Sequence, residues 1–128
     1  MKEPNQILIE CQHVEDLISQ PVPDDATILR QYGDELSAWL ATMARNVGDG
    51  RYIHRQGVTA ITKTVMCDAA LSKMTPMVMN KYIGAAAAEY AYIEDISDRM
   101  YSALAKRLEW VRSQLSYCKA ELTDLKRS

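Results

Sequence analysis

Apolar residues recur along most of this chain at steps of three and four, the period of a helix that packs on one face. The clearest run lies toward the C-terminal end. Ile83, Ala86, Tyr90, Ile93, Ser97, Met100, Leu104, Leu108, Val111, Leu115, Cys118, Leu122 and Leu125 alternate steps of three and four, with one extra step of four between Leu104 and Leu108. Only Ser97 is polar. Such a run is a coiled-coil seam, and the irregular step is an insertion that locally unwinds a supercoil. Ahead of it, "SKMTP" offers Thr75 as an N-cap and Pro76 at the first helical position, where no N–H is needed. The pattern predicts one helix from about Thr75 to Leu125, about 75 Å long at 1.5 Å per residue.

Upstream, helical spacing runs from Ala26 to about Lys73. Leu36, Trp39, Leu40, Met43 and Val47 form one stripe, and His54, Val58, Ile61 and Val65 another. A short amphipathic helix covers 5–19, with Leu8, Cys11, Val14, Leu17 and Ile18 on its apolar side. "QPVPDD" separates the two, its prolines favouring extended backbone and Asp24 or Asp25 capping the second helix. No alternating run with turn dipeptides reads as a strand. The expected fold is all-α: an acidic N-terminal helix and linker over 1–25, then a hairpin of two long helices over 26–128. A chain of 128 residues in this arrangement has a thin core. Assembly into a coiled-coil-like homo-oligomer is therefore expected, through Ile83, Tyr90, Ile93, Met100, Leu104, Leu108, Val111 and Leu115.

"ARNVGDGRYIHRQG", residues 44–57, interrupts the second helical pattern with three of the chain's five glycines. It lacks the spacing of a phosphate-binding loop, and no strand feeds it. The rival to a helix is a turn, since "NVGDG" is rich in turn formers. Phase favours the helix. Leu40, Val47, His54 and Ile61 are spaced by sevens, and so are Leu36, Met43, Gly50 and Gly57. Gly50 and Gly57 then sit on the seam, where a missing side chain admits another backbone. "GAAAA", residues 84–88, is the expected small partner. The same register turns Arg45, Tyr52, Gln56, Thr59 and Lys63 outward, with Arg51 and Arg55 on the flank. Cations that track phosphates beside a ring that stacks on bases are what a single strand of nucleic acid needs. A solvated helix face with one amphipathic tyrosine fits the same residues. A second basic cluster, Lys106, Arg107 and Arg112, surrounds Trp110, which can stack on a base or pack against a neighbouring helix.

Charge is uneven. Residues 1–25 hold one cation against six carboxylates, so the net −2 of the chain leaves the remainder at +3. An acidic arm on a mildly basic body is compatible with nucleic-acid contact. Seven methionines and no phenylalanine point to adaptable packing. Cys11, Cys67 and Cys118 are odd in number and form no CxxC pair, which fits reduced thiols in a cytoplasmic protein. His13 and His54 have no metal-ligand spacing, no run is long enough to span a membrane, and "MKEPNQ" is not a signal-peptide start. There is no nucleophile–base set, paired catalytic carboxylates or nucleotide fingerprint, so neither catalysis nor a cofactor is expected. Asp95 and Asp98 beside Glu94 read as a solvated helix face.

The layout also resembles a family. "YGDELSAWLATMARNVGDGRYIHRQG", an alanine-rich helix with Tyr90 and Tyr92, and "LEWVRSQLSYCKAEL" are similar to small phage-encoded helical proteins found beside single-strand-annealing recombinases. More distantly they resemble UvsY-type recombination mediators. The likeness spans about 29–121 and is firmest at Tyr32, Trp39, Leu40 and 112–119. It implies a ring-forming, non-catalytic protein that binds single-stranded DNA and helps load a recombinase onto strands coated by single-strand-binding protein. The basic middle that makes the DNA contacts matches Arg51, Arg55 and Lys63 here. The competing expectation is a protein–protein module, an adaptor or an inhibitor of a host factor, docking through the acidic arm or "KMTPMVMNKY".

Overall fold

The computed structural model describes residues 1–127 and is all-α. The helices are α1 (Pro4–Ile18), α2 (Ala26–Cys67), α3 (Pro76–Ala86) and α4 (Ala88–Arg127), with a single 3-10 turn at Leu71–Lys73. The two long helices, α2 and α4, pack as an antiparallel hairpin: Gly33 meets Val111, Gly50 meets Glu94 and Gly57 meets Tyr90. Helix α1 packs against both, running antiparallel to α2, with Glu10 beside Asn46, His13 beside Trp39 and Leu17 beside Tyr32.

Local chemistry sets the boundaries. Pro4 opens α1 and Ser19 closes it. Asp25 caps α2, its carboxylate accepting from the Thr27 and Ile28 amides at 2.9 and 3.1 Å. Thr75 caps α3 through the Val78 amide, with Pro76 at the first position as expected. Two expectations are corrected. Helix α2 stops at Cys67 rather than near Lys73, because the Asp68 carboxylate accepts from the Ala70 and Leu71 amides and folds the chain into a turn. The single helix over 75–125 is broken at Ala87, which sits at φ −90°, ψ 4°. The "GAAAA" stretch has no large side chains to brace one turn on the next. Beyond the break, α3 packs on the end of α2 through Tyr82 and Ala86.

One core serves the whole chain. Ile7, Cys11, Val14 and Leu17 of α1 meet Leu29, Tyr32, Leu36 and Met43 of α2 and Ile93, Leu104, Leu108 and Val111 of α4. Met100 and Leu115 pack at its edge. The expected intermolecular seam is thus spent inside the chain. Ile93, Met100, Leu104, Leu108, Val111 and Leu115 close the monomer's own core, while Tyr90 covers Gly57 and Ile83 lies half-buried in α3, before the break. Ser97 keeps the seam's polar position for a reason. It is fully buried, donates to the Ile93 carbonyl at 2.7 Å and sits 3.9 Å from Cys11 Sγ, so its small side chain admits α1.

A second polar group is buried where α1 packs on α2. Lys2 Nζ donates to Glu10 Oε2 at 2.7 Å and to Asn46 Oδ1 at 2.9 Å, and Asn46 Nδ2 donates to Glu10 Oε2 at 3.0 Å. Burial pushes the Glu10 carboxyl up, but hydrogen bonds from Lys2, Asn46 and Gln6, with the Lys2 charge, outweigh it and hold the pKa below its ordinary value. The linker is tied down as well. The Tyr32 hydroxyl donates to the Leu17 carbonyl at 2.9 Å and accepts from Arg107 Nε at 3.2 Å, and Arg107 also donates to the Gln20 carbonyl.

Candidate nucleic-acid interface

Helix α2 runs unbroken through the glycine stretch, so the phase argument holds and the turn does not form. The partner of the glycines differs from expectation. A Cβ on Gly50 would stand 3.2 Å from the Glu94 Cα, and one on Gly57 would overlap the Tyr90 ring. The small residues 84–88 are not their counterparts, since Gly84 faces open space. Close approach of α4 to α2 therefore explains both glycines.

With Gly50 and Gly57 turned inward, the opposite face of α2 is solvent-facing. Arg45, Arg51, Tyr52, Arg55 and Lys63 are all exposed, Tyr52 at 50% of its full surface. Arg45, Tyr52, Arg55 and Lys63 fall on one side of the helix, spread over about 27 Å at 1.5 Å per residue. Arg51 stands apart on the flank. Its Nε lies 3.8 Å from Glu94 Oε1, and the same carboxylate holds His54 Nδ1 at 2.6 Å. Arg51 thus offers only part of its charge to a ligand.

The second cluster does not join the first. Arg112 follows Val111, which packs at the level of Gly33, about 33 Å along the hairpin from Arg55 at 1.5 Å per residue. Lys106 and Arg112 are exposed on α4, away from the outward face of α2. Arg107 is not a ligand-facing cation. It is held by Tyr32 and Gln20, and its guanidinium lies 5.9 Å from the ring centres of both Tyr32 and Trp110. Trp110, 46% exposed, shields that guanidinium and is not itself packed into the core.

Dividing the charge into an acidic arm and a basic remainder hides a sharper asymmetry. From residue 50 to 88 there is a single carboxylate, Asp68, against Arg51, Arg55, Lys63, Lys73 and Lys81. Asp68 is engaged in capping the turn. The second half of α2 and α3 together are therefore cationic, although the chain as a whole carries −2 and α4 brings Glu94 against Gly50 at that level. A charge count over this window alone makes it visible.

Among the described residues, no group of three or more His, Cys, Asp or Glu side chains is placed to hold a metal ion, and no helix is long and apolar enough to cross a membrane. The Cys11 thiol is buried, and that burial pushes its pKa up, which makes it a packing group rather than a nucleophile. What the outward face of α2 offers is a row of cations around one exposed aromatic ring. No protein-family model, curated protein or solved structure matches this chain.

Proposed function

We propose that the protein is a non-catalytic, phage-type recombination accessory factor that captures single-stranded DNA on the outward face of α2. The observation that carries this reading is Tyr52, half exposed on a helix stretch that holds Arg51, Arg55 and Lys63 and no carboxylate from 50 to 67. Cations draw in the phosphates, and an exposed ring adds a stacking platform that accepts any base. A strand lying along α2 meets Arg45, Tyr52, Arg55 and Lys63 in turn. Lys106 and Arg112 contribute only through a second segment of the strand.

In this role the protein holds the strand for a recombinase, or hands it over from a single-strand-binding protein, and makes or breaks no bond. Several copies in a homo-oligomer extend the cationic face, through surfaces other than the α4 seam. The test is binding of a fluorescein-labelled oligothymidine. Loss of one base stack costs about 1–3 kcal/mol, so Tyr52→Ala weakens binding by about tenfold. Charge reversal at Arg45, Arg55 and Lys63 abolishes binding while helicity and sedimentation stay unchanged. Retained affinity in both variants overturns the proposal.

A further inference from the structure

The most apolar helix of the chain is the least covered. In α3, "PMVMNKYIGAA", no residue is buried, and Met77, Val78 and Tyr82 are 71, 49 and 43% exposed. An eleven-residue helix is marginal by itself, and its stability comes from packing an apolar face. Here that face is only half used. Tyr82 and Ala86 lean toward Ala60, Ile61, Thr64 and Val65 of α2, leaving an open cavity of about 230 Å³ between the helices. Val65 forms its buried floor, and Val78 lies one turn from Tyr82.

Lysines outnumber carboxylates around this groove, where Asp68, one helical turn beyond Thr64, caps the turn that follows α2. Lys81 adjoins Tyr82, Lys63 adjoins Thr64, and Lys73 lies in the turn that leads to α3; all three are exposed. No carboxylate occurs from 69 to 88. We propose that the groove between α2 and α3 is a docking site for an acidic amphipathic peptide segment of a partner protein. A large apolar side chain of that segment enters the cavity against Tyr82 and Val78, and its carboxylates meet the lysines. Methionine-rich, half-exposed surfaces adapt to such anchors. A second copy is a poor occupant, because groove-to-groove contact brings the two sets of lysines together, and like charges at an interface are costly. The groove meets the outward face of α2 only at Lys63; its cavity is lined by other residues, and it does not depend on the DNA reading.

The probe is a labelled helical peptide of leucine and glutamate, with leucines on one face. Its controls are the same peptide with lysine for glutamate, and with alanine for leucine. Anisotropy is expected to show binding of the Leu/Glu peptide that weakens with salt, and binding of both controls at least about tenfold weaker. Lys81→Glu, a change at an exposed site, lowers affinity for the probe by about tenfold, whereas Arg45→Glu with Arg55→Glu leaves it unchanged. Val78→Asp abolishes binding, with helicity checked by circular dichroism. No binding at low salt, equal binding of the lysine peptide or indifference to Lys81→Glu overturns the proposal. So does a homodimer that Val78→Asp disperses, which assigns the groove to a second copy. Oligothymidine binding that Lys81→Glu abolishes also overturns it, assigning the groove to nucleic acid.

Discussion

The glycines of α2 allow the helix packing to be tested by substitutions of one kind. Replacing glycine by alanine inside a helix gains about 1 kcal/mol in propensity at each position. The surroundings then decide the sign. At Gly48 a Cβ meets nothing within 4 Å, so Gly48→Ala stabilises by about 0.5–1 kcal/mol. At Gly50 the new Cβ lies 3.2 Å from the Glu94 Cα and 3.5 Å from the Ile93 carbonyl oxygen. Both are backbone atoms of a packed helix, which cannot step aside singly. Overpacking costs about 1–3 kcal/mol, so the net change runs from nil to a loss of about 2 kcal/mol. At Gly57 the Cβ overlaps the Tyr90 ring, which has to leave its place. Gly57→Ala is therefore destabilising in the native chain and stabilising in a Tyr90→Ala background, where the space is open. Urea unfolding followed by circular dichroism gives all the differences. If Gly57→Ala stabilises equally with and without Tyr90, α4 does not lie against α2 as described and the register of the hairpin is wrong.

The polar groups lead to further outcomes. Because the folded pKa of Glu10 lies below its ordinary 4.5, its contribution is fully present above about that pH and is lost as pH falls through the folded value. Urea midpoints should therefore drop in acid, and Glu10→Gln should flatten that part of the pH profile. Asn46→Ala removes a fully buried partner of Lys2 and Glu10 and should cost about 1–3 kcal/mol in the same assay. Arg107→Ala should destabilise by about 1–2 kcal/mol through its bonds to Tyr32 and Gln20, and leave oligothymidine affinity within about twofold. Glu94→Gln should release Arg51 and raise oligothymidine affinity about twofold, since a screened surface charge is worth little more.

The fold was legible because heptad spacing survives on both sides of the glycines. Leu36, Met43, Gly50 and Gly57 share one face whether or not a side chain is present, and the structure buries all four. Periodicity marks a face that needs covering but does not say by what. That is why the α4 run from Ile93 to Leu115 reads equally well as an oligomer seam, although α1 and α2 of the same chain occupy it. Glu10, beside Ile7 on the buried face of α1, is not foreseeable from spacing, because a carboxylate is placed outside by default and only Lys2 and Asn46 together explain its burial. The break at Ala87 has no proline to announce it. Arg107 looks like its neighbours in the sequence. Its withdrawal from the surface depends on Tyr32 and Gln20, which lie far away along the chain. Outward Arg45, Tyr52, Arg55 and Lys63 come from the helix phase alone.

The capture of single-stranded DNA on α2 is most directly tested by the salt dependence of oligothymidine binding. Neutralising three phosphates per copy with Arg45, Arg55 and Lys63 predicts a slope of about −2 in log affinity against log salt concentration. Reversing those three charges should remove both the binding and the slope. A slope near zero, or a slope that survives the reversal, contradicts the account.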